Sequence, residues 1–262
     1  MRYLVVLAAL ALGACQTAQQ QTAAPVACTP DNDRASGNGF CLVAHSFGAE
    51  NAGASPALYV VIHGDVSSGG PATYHLGPAE ELGAPAGSVA VGLVRPGYSG
   101  KGARSEGSHN NRRDHYTEAN NLAVGEAIRT LKDFYKPSRT IVIGHSGGAA
   151  HTGAVIGQFS GLIDDAYLVS CPCDIPRWRS SRNASSWSSS QSPIGFVDRI
   201  AKSTRITLLT GSSDSNTAPF LAKDYVEAAR KQGLDARYVE IPGGGHNFDR
   251  LWPTVKSTVT GG

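Results

Sequence analysis

From about residue 40 onward, short apolar runs alternate with longer segments whose apolar positions recur at helical spacing. Ala57 to His63 (Ala-Leu-Tyr-Val-Val-Ile-His) is apolar up to its last residue, as expected of a strand covered on both faces. Ser88 to Val94 repeats that pattern, and Phe40 to Phe47 predicts a strand ahead of both. Thr140 to Gly144, Ala166 to Ser170, Arg205 to Thr210 and Ala236 to Ile241 predict further strands. A helix is predicted over Thr117 to Tyr135, with Leu122, Ile128 and Leu131 among its apolar positions and Pro137 as its stop. Gly147 to Phe159, Pro219 to Gln232 and Asp249 to Val259 predict three more helices. Strands alternating with helices predict an α/β domain over 40–262, with a mostly parallel central sheet and helices on both faces. Ligands of such sheets bind at the carboxyl ends of the strands.

The first 39 residues follow a different pattern. Met1-Arg2 is a short positive start, and Tyr3 to Ala14 is an apolar run too short to span a bilayer as a helix. It reads as an export signal. Its end, Leu12-Gly13-Ala14-Cys15, resembles the lipobox of bacterial lipoproteins. That resemblance implies that 1–14 is removed and that Cys15 is the lipidated first residue of the mature chain. Gln16, where an Asp would favour retention at the inner membrane, implies a cell-envelope protein on the outer membrane, facing the periplasm. Residues 15–39 are rich in Gln, Thr, Ala, Pro, Asp and Asn and are expected to form a polar tether.

Composition narrows the choice of function. A chain of 262 residues can bury a sizeable core, and its 41% apolar content excludes a disordered protein. The net charge of +2 gives no electrostatic case for binding nucleic acid. With Cys15 assigned to lipid, Cys28, Cys41, Cys171 and Cys173 remain, an even number suited to an oxidising compartment. Three disulfide pairings are open, of which Cys28 with Cys41 and Cys171 with Cys173 is the most local. A metal site at Cys171-Pro172-Cys173 lacks a second cluster of ligands at suitable spacing.

The strand ends carry the candidate chemistry. The strand ending at Gly144 runs into Gly144-His145-Ser146-Gly147-Gly148 and then a helix, the strand–turn–helix setting in which Gly-x-Ser-x-Gly exposes a nucleophile. The helix N-terminus aims its dipole and free N–H groups at a developing oxyanion. A serine hydroxyl is a weak nucleophile and needs a base. His246 follows the last strand in a Gly-rich loop, Gly243-Gly244-Gly245-His246, whereas His145 is the variable position of the motif and His63 is expected to be structural. The base needs an orienting carboxylate. Asp214 follows Gly211-Ser212-Ser213 after one strand and Asp174 follows the neighbouring strand; three arginines near Asp174 suggest an ion pair there, so Asp214 is the candidate acid.

The order Ser146, Asp214, His246, each after a strand, resembles the α/β-hydrolase superfamily, and the C-terminal half is similar to its prolyl-oligopeptidase-like and dienelactone-hydrolase-like branches. Two further segments fit. His63-Gly64-Asp65 resembles the oxyanion turn, and Arg95-Pro96-Gly97-Tyr98-Ser99-Gly100 resembles the loop after the next strand. The resemblance implies an oxyanion hole made by the backbone N–H groups of Asp65 and Gly147. A carboxylate at position 65 would oppose the oxyanion unless it points away. The implied activity is hydrolysis of small carboxylic esters through an acyl-enzyme, with no metal or organic cofactor. A serine peptidase and a catalytically silent binding protein of the same fold are the alternatives. The natural substrate and the oligomeric state are not legible.

Two segments bear on specificity. Residues 174–200 read as a short flap rich in Ser, with Trp178, Trp187, Arg177, Arg179 and Arg182; the tryptophans are expected either to line a pocket or to pack the flap onto the sheet. Lys101 to His115 is polar and basic, and reads as a solvated loop in preference to a site for an acidic substrate.

Overall fold

The apolar runs become the strands of one sheet. A computed structural model describes residues 28–261, so the signal sequence, Cys15 and the first part of the tether lie outside the described residues. The strands are β1 (Arg34–Gly37), β2 (Phe40–Phe47), β3 (Ala57–Ile62), β4 (Ser88–Leu93), β5 (Arg139–His145), β6 (Asp165–Val169), β7 (Arg205–Gly211) and β8 (Ala236–Ile241). Their spatial order is β1-β2-β4-β3-β5-β6-β7-β8. β1, β2 and β4 pair antiparallel, and every pair from β4 to β8 is parallel.

The helices are α1 (Leu76–Gly83), α2 (Glu118–Tyr135), α3 (Gly147–Gln158), α4 (Ile175–Ser181), α5 (Pro219–Lys231) and α6 (Phe248–Thr260). Successive strand residues feed opposite faces. Leu58, Val60, Ile62 and Val142 join α2, α3 and α5 in one core, while Val61, Ile141 and Ile143 join α1 and α6 in the other. This two-sided burial explains why the central strands read as unbroken apolar runs. Among the described residues no helix is long and apolar enough to cross a membrane.

Three elements escaped the apolar pattern. β1 lies in what was expected to be tether. Its four residues, Arg-Ala-Ser-Gly, are too few and too polar to show alternation. It is nevertheless built into the domain: Arg34 pairs with Val43, Ala35 is buried, and Cys28 is disulfide-bonded to Cys41. The ordered domain thus starts upstream of residue 40. The second disulfide joins Cys171 to Cys173, so the most local pairing is the one present. α1 contains two glycines and a proline, which hide its helical period. α4 opens the flap, with Asp174 as its N-cap accepting from the Arg177 N–H at 3.1 Å.

Candidate active site

β5 ends at His145 and α3 begins at Gly147, which leaves Ser146 alone in the turn between them at φ 51° and ψ −115°. A positive φ at a residue with a Cβ costs of order 1–3 kcal/mol and persists only where the surroundings enforce it. Here they do. The Ser146 N–H donates to the Val169 carbonyl at 2.8 Å, and its carbonyl accepts from the Ala150 N–H at 3.0 Å. A Cβ at Gly144 would lie 2.5 Å from the Gly148 carbonyl oxygen, and one at Gly148 would lie 2.3 Å from that of Ile62. Close backbone approach therefore dictates both glycines. The N–H of Gly147, at the first position of α3, has no acceptor within its helix.

The three candidate residues converge. Ser146 Oγ lies 3.0 Å from His246 Nε2. His246 Nδ1 lies 2.9 Å from one Asp214 carboxylate oxygen and 3.2 Å from the other. Asp214 is itself held by the N–H groups of Asn216 and Thr217 and by the Thr217 hydroxyl, each at 2.9 Å. Burial pushes the Asp214 carboxyl up, but the hydrogen bond and charge of His246, with the Thr217 N–H, hold it at about 2. An ionised Asp214 accepts a proton donor, which places the hydrogen of His246 on Nδ1 and leaves Nε2 facing the serine. Thr217 was not anticipated, although an Asp followed three residues later by a Thr is a recognisable turn signal. Asp174 forms no ion pair among the described residues: it caps α4, while Arg177 bonds to Asp224.

The Asp65 carboxylate does not point away from α3, the condition under which it would leave an oxyanion unopposed. Its Oδ1 lies against Gly147, where an added Cβ would come within 2.3 Å. Its charge is instead compensated. Arg95 donates to Oδ1 at 2.6 Å, the Tyr116 hydroxyl donates to Oδ2 at 2.7 Å, and His115 Nε2 lies 3.2 Å from Oδ1. Burial opposes ionisation, but the Arg95 charge and the His115 and Tyr116 hydrogen bonds outweigh it and keep the carboxyl far below its ordinary range. Arg95 is fully buried, and its guanidinium lies 4.7 Å from the centre of the Tyr98 ring. The Arg-Pro-Gly-Tyr segment thus neutralises the turn after β3, a role that its sequence did not announce.

A relay of hydrogen bonds joins that turn to the histidine loop. The Gly64 N–H donates to the Tyr74 hydroxyl, and the Tyr74 oxygen lies 2.7 Å from His145 Nδ1. His145 Nε2 lies 3.0 Å from the carbonyl oxygen of His246. A carbonyl only accepts, so Nε2 carries the hydrogen, Nδ1 accepts, and the tyrosine donates to it. Burial and the neighbouring His246 lower the His145 pKa to about 3, which keeps the ring neutral. His63 is structural: it accepts from the Arg95 N–H at 3.0 Å through Nε2, and its Nδ1 donates to the Gly64 carbonyl at 2.7 Å.

Ser146 and His246 open into a cleft of about 650 Å³. Its walls include Arg112 and Arg113 from the loop before α2, and Trp178, Arg179, Arg182 and Trp187 from the flap. The tryptophans do both things expected of them. Trp178 is buried and donates through its indole N–H to the Asn216 carbonyl at 2.8 Å, yet both rings also face the cleft. Arg112 and Arg113 belong to the segment read as a solvated loop; most of that segment is exposed, as expected, and these two side chains also reach the cleft wall.

Similarity to known proteins lies in three dimensions. No family model matches the chain, and no curated protein matches it in sequence. Among solved structures, Est1E from Butyrivibrio proteoclasticus aligns over 86% of this chain and 94% of its own, with a TM-score of 0.64 and 16% identity. An esterase of Pyrococcus furiosus aligns over 87% of each chain, with a TM-score of 0.65 and 16% identity. A puromycin-hydrolyzing peptidase of Mycobacterium tuberculosis aligns over 83% of this chain but 36% of its own, with a TM-score of 0.63 and 18% identity. The chain has the α/β-hydrolase fold.

Proposed function

We propose that the protein is a serine hydrolase acting on small carboxylic esters. The observation that carries this reading is the connected line Ser146–His246–Asp214, with contacts of 3.0 and 2.9 Å, at the strand ends and open to a cleft. Est1E, which has this fold, is described with bound ferulic acid, a small carboxylic acid of the kind an esterase releases.

The chemistry follows from the geometry. His246 Nε2 takes the Ser146 proton as Oγ attacks the ester carbonyl, and Asp214 stabilises the imidazolium through Nδ1. The Asp65 and Gly147 amides donate to the oxyanion. Arg95 matters here, because an uncompensated carboxylate on Asp65 would raise the barrier that the two amides lower. His246 then gives the proton to the departing alkoxide. Water, deprotonated by the same nitrogen, cleaves the acyl-enzyme and returns the serine.

The test is labelling by a fluorophosphonate probe, followed by a panel of esters and aminoacyl amides. Labelling of Ser146 with ester turnover is expected. Faster cleavage of the amides would make the protein a peptidase, and no labelling would make it a binding protein.

The placement of this activity rests on Leu12-Gly13-Ala14-Cys15: the mature chain begins at a lipidated Cys15 and is held at the bacterial outer membrane. Mass spectrometry of the mature N-terminus decides it, since a chain starting at any other residue removes the anchor.

A further inference from the structure

The cleft beside Ser146 is unevenly charged. Four arginines, Arg112, Arg113, Arg179 and Arg182, line it, and Asp65 is the only carboxylate among its lining residues. Asp65 is already taken by Arg95. Among the described residues none of the four arginines makes an ion pair, in contrast to Arg139, Arg177 and Arg205, which all do. The nearby carboxylate of Asp114 accepts from the N–H groups of Ser189 and Ser190. The molecule as a whole carries only +2, so this is a local concentration of positive charge and not a reflection of general basicity.

The flap arginines are also held in place. The Arg179 guanidinium lies 4.8 Å from the centre of the Trp187 ring and 5.2 Å from that of Trp178, and its Nε donates to the Ser185 carbonyl at 2.9 Å. Arg182 lies 5.7 Å from the Trp178 ring and donates to the Asn216 carbonyl at 3.2 Å. On the other wall Arg112 donates to the Gly70 carbonyl at 3.3 Å. Each of these bonds uses one N–H of a guanidinium that has five, which leaves donors for a ligand. Burial, together with the like charges of Arg182 on the same flap and Arg113 on the facing wall, lowers the Arg179 pKa, and the Asp114 carboxylate only partly offsets this. A bound anion relieves that repulsion.

We infer that the substrate is an anionic ester, one that bears a carboxylate or phosphate group which the four arginines of the cleft receive while Ser146 attacks the ester carbonyl. This rests on the ester-hydrolase reading above. The anion does not react: the bond made is Ser146 Oγ to the acyl carbon, the bond broken is the ester C–O, and the charged group only binds. Charge-assisted hydrogen bonds of this kind are worth about ten- to a hundredfold in kcat/KM.

The experiment compares matched esters. One series is 4-nitrophenyl hemisuccinate and hemiglutarate, each against its neutral methyl ester, with the charge on the acyl side. The other is 4-acetoxybenzoate and 4-acetoxyphenyl phosphate, each against its methylated neutral form, with the charge on the leaving side. In at least one series the anionic member is expected to have a kcat/KM about tenfold or more above its neutral partner. That ratio should shrink in about 0.5 M NaCl, where screening is short-ranged, and fall towards unity in the Arg179→Gln, Arg182→Gln double variant. Which anion gains identifies the group received. Neutral esters that are cleaved as well as or better than every anionic partner overturn the inference while leaving the hydrolase intact. If no ester is cleaved, the hydrolase reading fails, and the charge reading is decided separately. Titration of the cleft tryptophans' fluorescence should then show benzoate or phenyl phosphate binding about tenfold tighter than benzamide; equal binding, or none, overturns it.

Discussion

Ser146 occupies a backbone conformation that only its neighbours can enforce, and the same neighbours set its chemistry. Ser146→Ala should abolish fluorophosphonate labelling while leaving the circular dichroism spectrum and melting temperature near those of the wild type. Labelling that survives in this variant points to a different serine. For the acid, Asp214→Asn should lower kcat by up to about 10⁴-fold, since an amide favours the wrong imidazole tautomer. Asp174→Asn should leave kcat near its original value, because Asp174 caps α4 and Asn is an equally good cap. A crippled Asp174→Asn enzyme would reverse the assignment. Arg95 is the third residue to examine. Its removal strands the Asp65 carboxylate next to Gly147, so Arg95→Gln should cost about 3–5 kcal/mol in denaturant-induced unfolding. A loss below about 1 kcal/mol would show that water replaces the guanidinium.

Elements meet at the site through loops, and the loops are fastened to one another. The link from Gly64 through Tyr74 and His145 to the His246 carbonyl ties the end of β3 to the loop after β8. His145→Phe keeps an aromatic ring, a slightly larger one, but breaks both hydrogen bonds. A hydrogen bond is worth about 0.5–1.5 kcal/mol, so kcat should fall by about two- to tenfold as His246 loosens, with KM little changed. An unchanged kcat would mean that the Gly-rich loop is held by other contacts. At this scale most of the fold was legible. Strands β2 to β8 were placed within a residue or so; in the central ones burial on both faces writes a contiguous apolar run, while the edge strand β8, only partly buried, was marked off by Pro242 at its end. β1 and α1 were not: β1 has one buried apolar side chain, and α1 owes its helix to packing under β4 in place of intrinsic propensity. Thr117 and Asn247, the N-caps of α2 and α6, explain the one-residue shifts of those helix starts.

Taken whole, the molecule carries an acid-sensitive interior. His63, His75, His145 and His151 are all buried, and burial lowers the pKa of each, to about 3 for His75 and His145. The unfolded chain takes up protons on these rings near pH 6.5, and the native state does not. Stability is therefore complete above about pH 6.5 and falls as the pH drops, by about 1.4 kcal/mol per pH unit for each ring. The carboxylates act lower down. With the folded pKa of Asp214 held at about 2, its contribution is present above its unfolded value and is lost as the pH falls from about 4 towards 2. The urea midpoint should decline steadily from pH 7 to pH 4.5; a midpoint constant over that range would mean that the rings become protonated in the folded state.

The sequence alone determined the alternation of elements and the elbow glycines, because each depends on spacing within a few turns of chain, and it placed Ser146, a candidate Asp and His246 in a hydrolase-like order because each follows a predicted strand. It left undecided whatever depends on which loops meet. Asp174 and Asp214 follow adjacent strands, β6 and β7, and only the packed loops show that Asp214 reaches His246 while Asp174 is spent as a cap. Arg112 and Arg113 look like solvated surface charge until the order of the strands brings their loop opposite Arg179 and Arg182, nearly seventy residues away in the chain. Periodicity and turn chemistry act locally and leave their mark in sequence; the compensation of Asp65 by Arg95, and the charge of the cleft, come from strand order, which brings together side chains that no local pattern connects.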